Sequence, residues 1–73
     1  MARGVLEDVE EVCRAERVPL ALVLSPLRYR SIATARHAVM RRLRERGLSY
    51  PEIGWLMGRD HTTVLAACRE KRP

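Results

Sequence analysis

Apolar residues recur at spacings of three and four along the whole chain, and proline or glycine interrupts the pattern before any stretch grows long. Val5, Leu6, Val9, Val12 and Cys13 form the first stripe and predict a helix ending near Arg17. Val18-Pro19 opens a short second helix through Leu20, Val23 and Leu24, with the proline at its first position, and Ser25-Pro26 stops it. Residues 25–31, SPLRYRS, read as a basic loop. Thr34 is the expected N-cap of a third helix that buries Ala35, Ala38, Val39 and Leu43, turns arginines outward and stops at Gly47. Ser49-x-x-Glu52 is a capping box with Pro51 in the first turn, which predicts a short helix from about Tyr50 to Met57, broken by Gly58. Asp60 caps a final helix from His61 to about Lys71, with Val64, Leu65, Ala67 and Cys68 inward. No stretch keeps the period of two that a strand requires. The fold class is all-α, and 73 residues support one core and one domain over 1–73, with Met1 to Gly4 and Arg72-Pro73 expected to fray.

Charge divides the chain. Residues 1–24 hold three arginines and five acids, a net of 3 − 5 = −2, whereas 25–73 hold eleven cations and four acids, a net of 11 − 4 = +7. A basic field of this kind favours a polyanion, and the arginine fork suits phosphate and base edges. No apolar run approaches the roughly 18 residues of a membrane span. No apolar leader segment is legible either, so a soluble, cytoplasmic protein without membrane contact is expected. Cys13 and Cys68 lack metal-site spacing and read as reduced apolar residues, so no metal and no cofactor are expected. No nucleophile, base and orienting group are arranged for catalysis, and the chain is read as not an enzyme.

Two short helices joined across Gly58 form a helix-turn-helix, over residues 49–71, that presents its second helix to the DNA major groove. Gly54 is the small residue where the second helix must approach, and Ile53, Met57 and Val64 close the core beneath. Arg59, Asp60, His61, Thr62 and Thr63 place donors, acceptors and a methyl group at the helix start, the end that reaches base edges.

The run Tyr50-Pro-Glu-Ile-Gly54, then Gly58-Arg-Asp-His-Thr-Thr-Val-Leu65 and Ala67-Cys-Arg69, resembles the C-terminal DNA-binding domain of the bacterial chromosomal replication initiator DnaA. Arg28-Tyr-Arg-Ser31, Arg36 and the upstream helix pair fall in the same order, so the resemblance covers nearly the whole chain. It implies a Trp-repressor-like helical domain on double-stranded DNA, with the last helix in the major groove and the basic loop in the adjacent minor groove. On the same basis Arg28 matches a minor-groove arginine, and Asp60, His61 and Thr62 match base-reading residues. Thr63, Arg30 and Arg36 match positions that hold the DNA backbone, Pro51 a proline beside the DNA, and Arg44 a phosphate-binding cation. Such roles agree with the physics of an arginine in a narrow groove and of a threonine methyl on thymine. Asp60 is open to two readings, acceptor for cytosine and N-cap.

Departures from the family pattern are visible. Met57-Gly58 stands where two glycines are usual, Leu27 replaces a basic residue, and Thr34-Ala35 replaces Arg-Pro. The shorter turn implies a different entry angle for the last helix. The chain has no G-x-x-x-x-G-K-[ST] motif, so no nucleotide is expected, and a free-standing domain acting by site occupancy on replication initiation or transcription is the functional expectation. The alternative is a protein-interaction module, docking through the acids Glu7, Asp8, Glu10 and Glu11 or through Trp55, with DNA contact secondary. The acids otherwise read as a solvated face, and Trp55 as partly exposed, either a partner contact or a cover for the first helix. His37 reads as a surface residue near phosphate with a minor role.

Overall fold

A computed structural model describes residues 4–69. Five helices follow in order: α1 Val5–Glu16, α2 Leu20–Val23, α3 Arg30–Glu45, α4 Tyr50–Met57 and α5 His61–Arg69. Among the described residues there is no strand. The expected end of the last helix near Lys71 and the fraying of Met1 to Arg3 and Arg72-Pro73 lie outside the described residues, whereas Gly4, expected to fray with them, is the N-cap of α1, its amide donating to Glu7 Oε1 at 2.8 Å.

α3 is the spine. Its inner stripe of Ile32, Ala35, Val39, Met40 and Leu43 follows the three-four spacing and meets Val9, Val12 and Cys13 of α1, Val23 of α2, Ile53 and Met57 of α4, and Val64 and Ala67 of α5 in one cluster. Met40, Leu43, Ile53, Val23, Val39 and Val64 are fully enclosed. α1 ends at Arg17, which takes the left-handed conformation at φ 60°, and α4 ends at Gly58 at φ 66°.

Several expectations are corrected. α3 starts at Arg30, four residues before Thr34, because Ile32 is part of its buried stripe, so Arg30 and Ser31 belong to a helix turn rather than to the loop. Pro19 is the N-cap of α2 and not its first residue, and Leu24 lies outside it, 44% exposed. Leu6, expected in the first stripe, is 59% exposed, while Asp8, expected on a solvated face, is buried. The cause is long-range: α3 and its C-cap present Arg42 and Arg46 to α1, and Arg46 Nη1 donates to Asp8 Oδ2, with Arg42 Nη1 3.6 Å from Oδ1 and 2.9 Å from Glu11 Oε1. A buried carboxylate is tolerated because cations reach it. Leu65, Ala38 and Cys68, expected inward, are half-buried, and of these Ala38 and Cys68 pack against the edge of the core.

Candidate nucleic-acid interface

The start of α5 is built by its neighbours in sequence. Ser49 Oγ accepts from Glu52 N at 3.2 Å and Glu52 Oε1 accepts from Ser49 N at 2.8 Å, which starts α4 with both halves of a capping box. α4 ends in a left-handed glycine, and Arg59 N donates to Gly54 O at 2.8 Å, closing the last carbonyls and turning the chain toward α5. A Cβ on Gly54 would lie 2.5 Å from Arg59 O and 3.3 Å from His61 N, so the missing side chain lets the α5 start rest on α4. Asp60 Oδ1 then accepts from Thr62 N at 3.0 Å and Thr62 Oγ1 at 3.1 Å, and Asp60 O receives Thr63 N and Val64 N. The capping role of Asp60 is therefore present in the geometry.

Val64 and Ala67 hold α5 to the core, while His61, Thr62, Thr63 and Ala66 are exposed along its outer side. Thr62, Thr63, Ala66 and Ala67 line a surface hollow with His37 of α3. Ala66 stands one turn beyond Thr62, and the four-residue spacing could have flagged it as part of the same face. His37 gains weight from this placement.

The other cations divide into exposed and engaged groups. Arg28, Arg30 and Tyr29 are exposed at the loop and at the α3 start, with Tyr29 at 69%. Pro51 is exposed in the first turn of α4. Arg44 is exposed but ordered, its guanidinium 4.4 Å above the Tyr50 ring and its Nη1 donating to Leu48 O at 2.9 Å. Arg59 is half-buried and donates to the carbonyls of Ser25, Met57 and Gly58.

Arg36 does not lie on the surface where a backbone contact would need it. It is 6% exposed, with Nε donating to Val23 O at 2.8 Å and Nη2 to Ser25 O at 2.6 Å and Leu27 O at 3.0 Å. The physical reason is that the chain between α2 and α3 leaves carbonyls facing inward, and one buried guanidinium satisfies them. Burial first, and then the charge of Arg59, hold Arg36 below the ordinary arginine range. Trp55 is 83% exposed, which rules out a role as cover for α1.

Both carboxylates that start the helix-turn-helix are held below their ordinary range: Glu52 by the backbone and then the hydroxyl of Ser49, and Asp60 by the backbone and then the hydroxyl of Thr62. Folding lowers these values, so the contribution of the caps is complete above the unfolded carboxylate range and is lost as pH falls through the folded values. Thermal unfolding followed by circular dichroism from pH 7 downward is expected to show a steeper acid loss in the wild type than in a Glu52→Gln, Asp60→Asn double variant. Parallel curves would contradict the assignment.

A family model described as bacterial dnaA protein helix-turn-helix matches residues 9–70. The chromosomal replication initiator protein DnaA of Thermomicrobium roseum is 54% identical over 72 residues, covering 88% of this chain and 16% of that protein. Those of Acinetobacter baumannii and Acinetobacter baylyi are each 45% identical over 56 residues, covering 74% of this chain and 12% of theirs. The chain thus spans a small fraction of the length of the curated relatives it matches. With the α4–α5 unit in place and the match running through all five helices, the chain belongs to the bacterial DnaA helix-turn-helix family and is a DNA-binding domain.

Proposed function

We propose that the domain recognises a short double-stranded DNA site, with α5 in the major groove and the loop carrying Arg28 in the adjacent minor groove, and acts by occupying that site in replication initiation or transcription. The observation that carries the reading is the outer side of α5: Thr62, Thr63 and Ala66 are exposed on a helix whose inner side is fixed by Val64 and Ala67. His61, Thr62 and Asp60 are assigned to base edges, the last also as cap. Arg28 is assigned to the minor groove, and Thr63, Arg30, Arg44, His37 and Pro51 to the sugar-phosphate backbone. The relatives named as chromosomal replication initiators support the replication-initiation side of this reading.

Selection from random duplexes yields a preferred site for the test. Arg28→Ala and Thr62→Ala are each expected to weaken that site by about 1 to 3 kcal/mol and to relax its sequence preference. With about three phosphates neutralised by Arg28, Arg30 and Arg44, the slope of log affinity against log salt is expected near −2.5 to −3. Equal losses on every duplex would contradict the base-reading roles. A flat slope would instead favour the protein-docking reading, for which the exposed Trp55, Leu56 and Leu6 are the motivating surface.

A further inference from the structure

The Ser25 carbonyl accepts from two guanidinium groups, Arg36 Nη2 at 2.6 Å and Arg59 Nη2 at 2.6 Å. A carbonyl oxygen has two lone pairs, so one atom satisfies both donors. These arginines come from different parts of the fold, Arg36 from α3 and Arg59 from the turn that leads into α5. Ser25 begins the loop that carries Arg28. Local bonds, Ser25 Oγ to Leu22 O at 2.6 Å and Leu27 N to Ser25 Oγ at 3.3 Å, tighten the loop upon itself. The arginines tie it to distant elements. Arg59 is fixed at its own end, with Nη1 donating to Met57 O at 3.3 Å and Gly58 O at 3.4 Å, and its amide donating to Gly54 O. A continuous set of hydrogen bonds therefore runs from the α4–α5 turn to the base of the loop.

We infer that Arg59, with Arg36 as its counterpart on the same carbonyl, is a positioning residue that sets the distance between the Arg28 loop and the start of α5, so that both engage one duplex together. The inference rests on the two-groove reading above. Binding two grooves at once needs two elements held at a fixed separation, because a loose loop must be ordered at the moment of binding and that entropy subtracts from affinity. A guanidinium fork reaching carbonyls on both elements is suited to this, and an ammonium is not.

The test has two arms. In the free protein, 15N relaxation of the wild type and of Arg59→Ala reads the loop directly. The amides of Ser25, Leu27, Arg28 and Tyr29 are expected to fall from rigid order parameters of about 0.85 to below about 0.6, with the helices unchanged. On the selected duplex, Arg28→Ala is expected to cost roughly tenfold or more in the wild-type background and under about threefold in the Arg59→Ala background. Thr62→Ala should cost the same in both. Arg36→Lys keeps the charge but loses the fork, and is expected to give the same selective loss. Unchanged order in 25–29, or an undiminished Arg28→Ala effect, overturns the proposal. So does a loss of the Thr62→Ala effect as well, which would mean general damage to the domain. A salt slope reduced by about one with the Arg28 effect intact would place Arg59 on phosphate and likewise overturn it. If Arg28→Ala costs nothing in the wild type, the two-groove reading fails, and the relaxation arm alone decides the positioning role.

Discussion

Gly54→Ala is expected to destabilise the domain by about 3 kcal/mol, the opposite sign to the usual gain from replacing glycine inside a helix. On an open helix surface the added methyl would contribute about 0.5 to 1 kcal/mol through a stiffer unfolded chain. Here the new Cβ would sit 2.5 Å from the Arg59 carbonyl, a backbone atom that moves only if the α4–α5 turn moves. A chain of this length has about 4 to 11 kcal/mol in total at typical values per residue, so the loss is a large share of it. The midpoint should fall by roughly 12 to 24 °C at the usual sensitivity of small domains. Gly58→Ala supplies the internal comparison. Its Cβ would meet no atom within 4 Å, so it carries only the strain of φ 66°, about 1 to 2 kcal/mol. Urea and thermal denaturation of the three proteins would check the order, and a neutral or stabilised Gly54→Ala would refute the close approach. In the fraction that stays folded, α5 is displaced from α4, so affinity for the selected duplex should fall as well.

The legibility of these features in the sequence followed the range of the interactions behind them. Everything in the helix-turn-helix is local. Ser49 and Glu52 are three residues apart, Gly58 terminates the helix it follows, and Asp60 caps the helix it precedes, so the α4 bounds and the α5 start could be read directly. The Asp8 site could not be read this way. Its partners Arg42 and Arg46 lie on α3 and at its C-cap, and a stripe drawn through Val5, Leu6 and Val9 does not reveal which side α3 will cover. Leu6 and Asp8 accordingly exchange the places that hydrophobicity assigned them. The start of α3 was obscured for a related reason. Thr34 is the strongest capping residue in the region, but Ile32 spaced against Ala35, Val39 and Leu43 carries the helix back to Arg30, where Tyr29 supplies no side-chain cap. Tertiary burial outweighed a local preference. The match to replication initiators located Arg36 in sequence and assigned it to DNA, since a resemblance of residues carries no statement about solvent exposure.

Arg36 is therefore the position where the two kinds of reading diverge most, and Arg36→Ala is expected to separate them. Removing the guanidinium leaves the carbonyls of Val23, Ser25 and Leu27 without the donors they now have, at 2.8, 2.6 and 3.0 Å. Each buried acceptor so stranded costs about 1 to 3 kcal/mol, reduced where water enters at the loop edge and where Arg59 still serves Ser25. A net loss of about 3 kcal/mol follows, with a fall in midpoint of roughly 12 to 24 °C. Arg36→Met, which fills the volume but donates nothing, should recover the packing part of the loss and not the rest. On DNA, measured at a temperature where the variant is folded, both substitutions should weaken the preferred duplex more than unrelated ones, as loosening the Arg28 loop does, because the buried cation itself displaces no counterion from phosphate. A residue lying on the DNA backbone would give the converse, near-wild-type stability with the slope reduced by about one. That pair of readings, denaturation and salt titration on the same variants, distinguishes an arginine that builds the loop from one that touches the duplex.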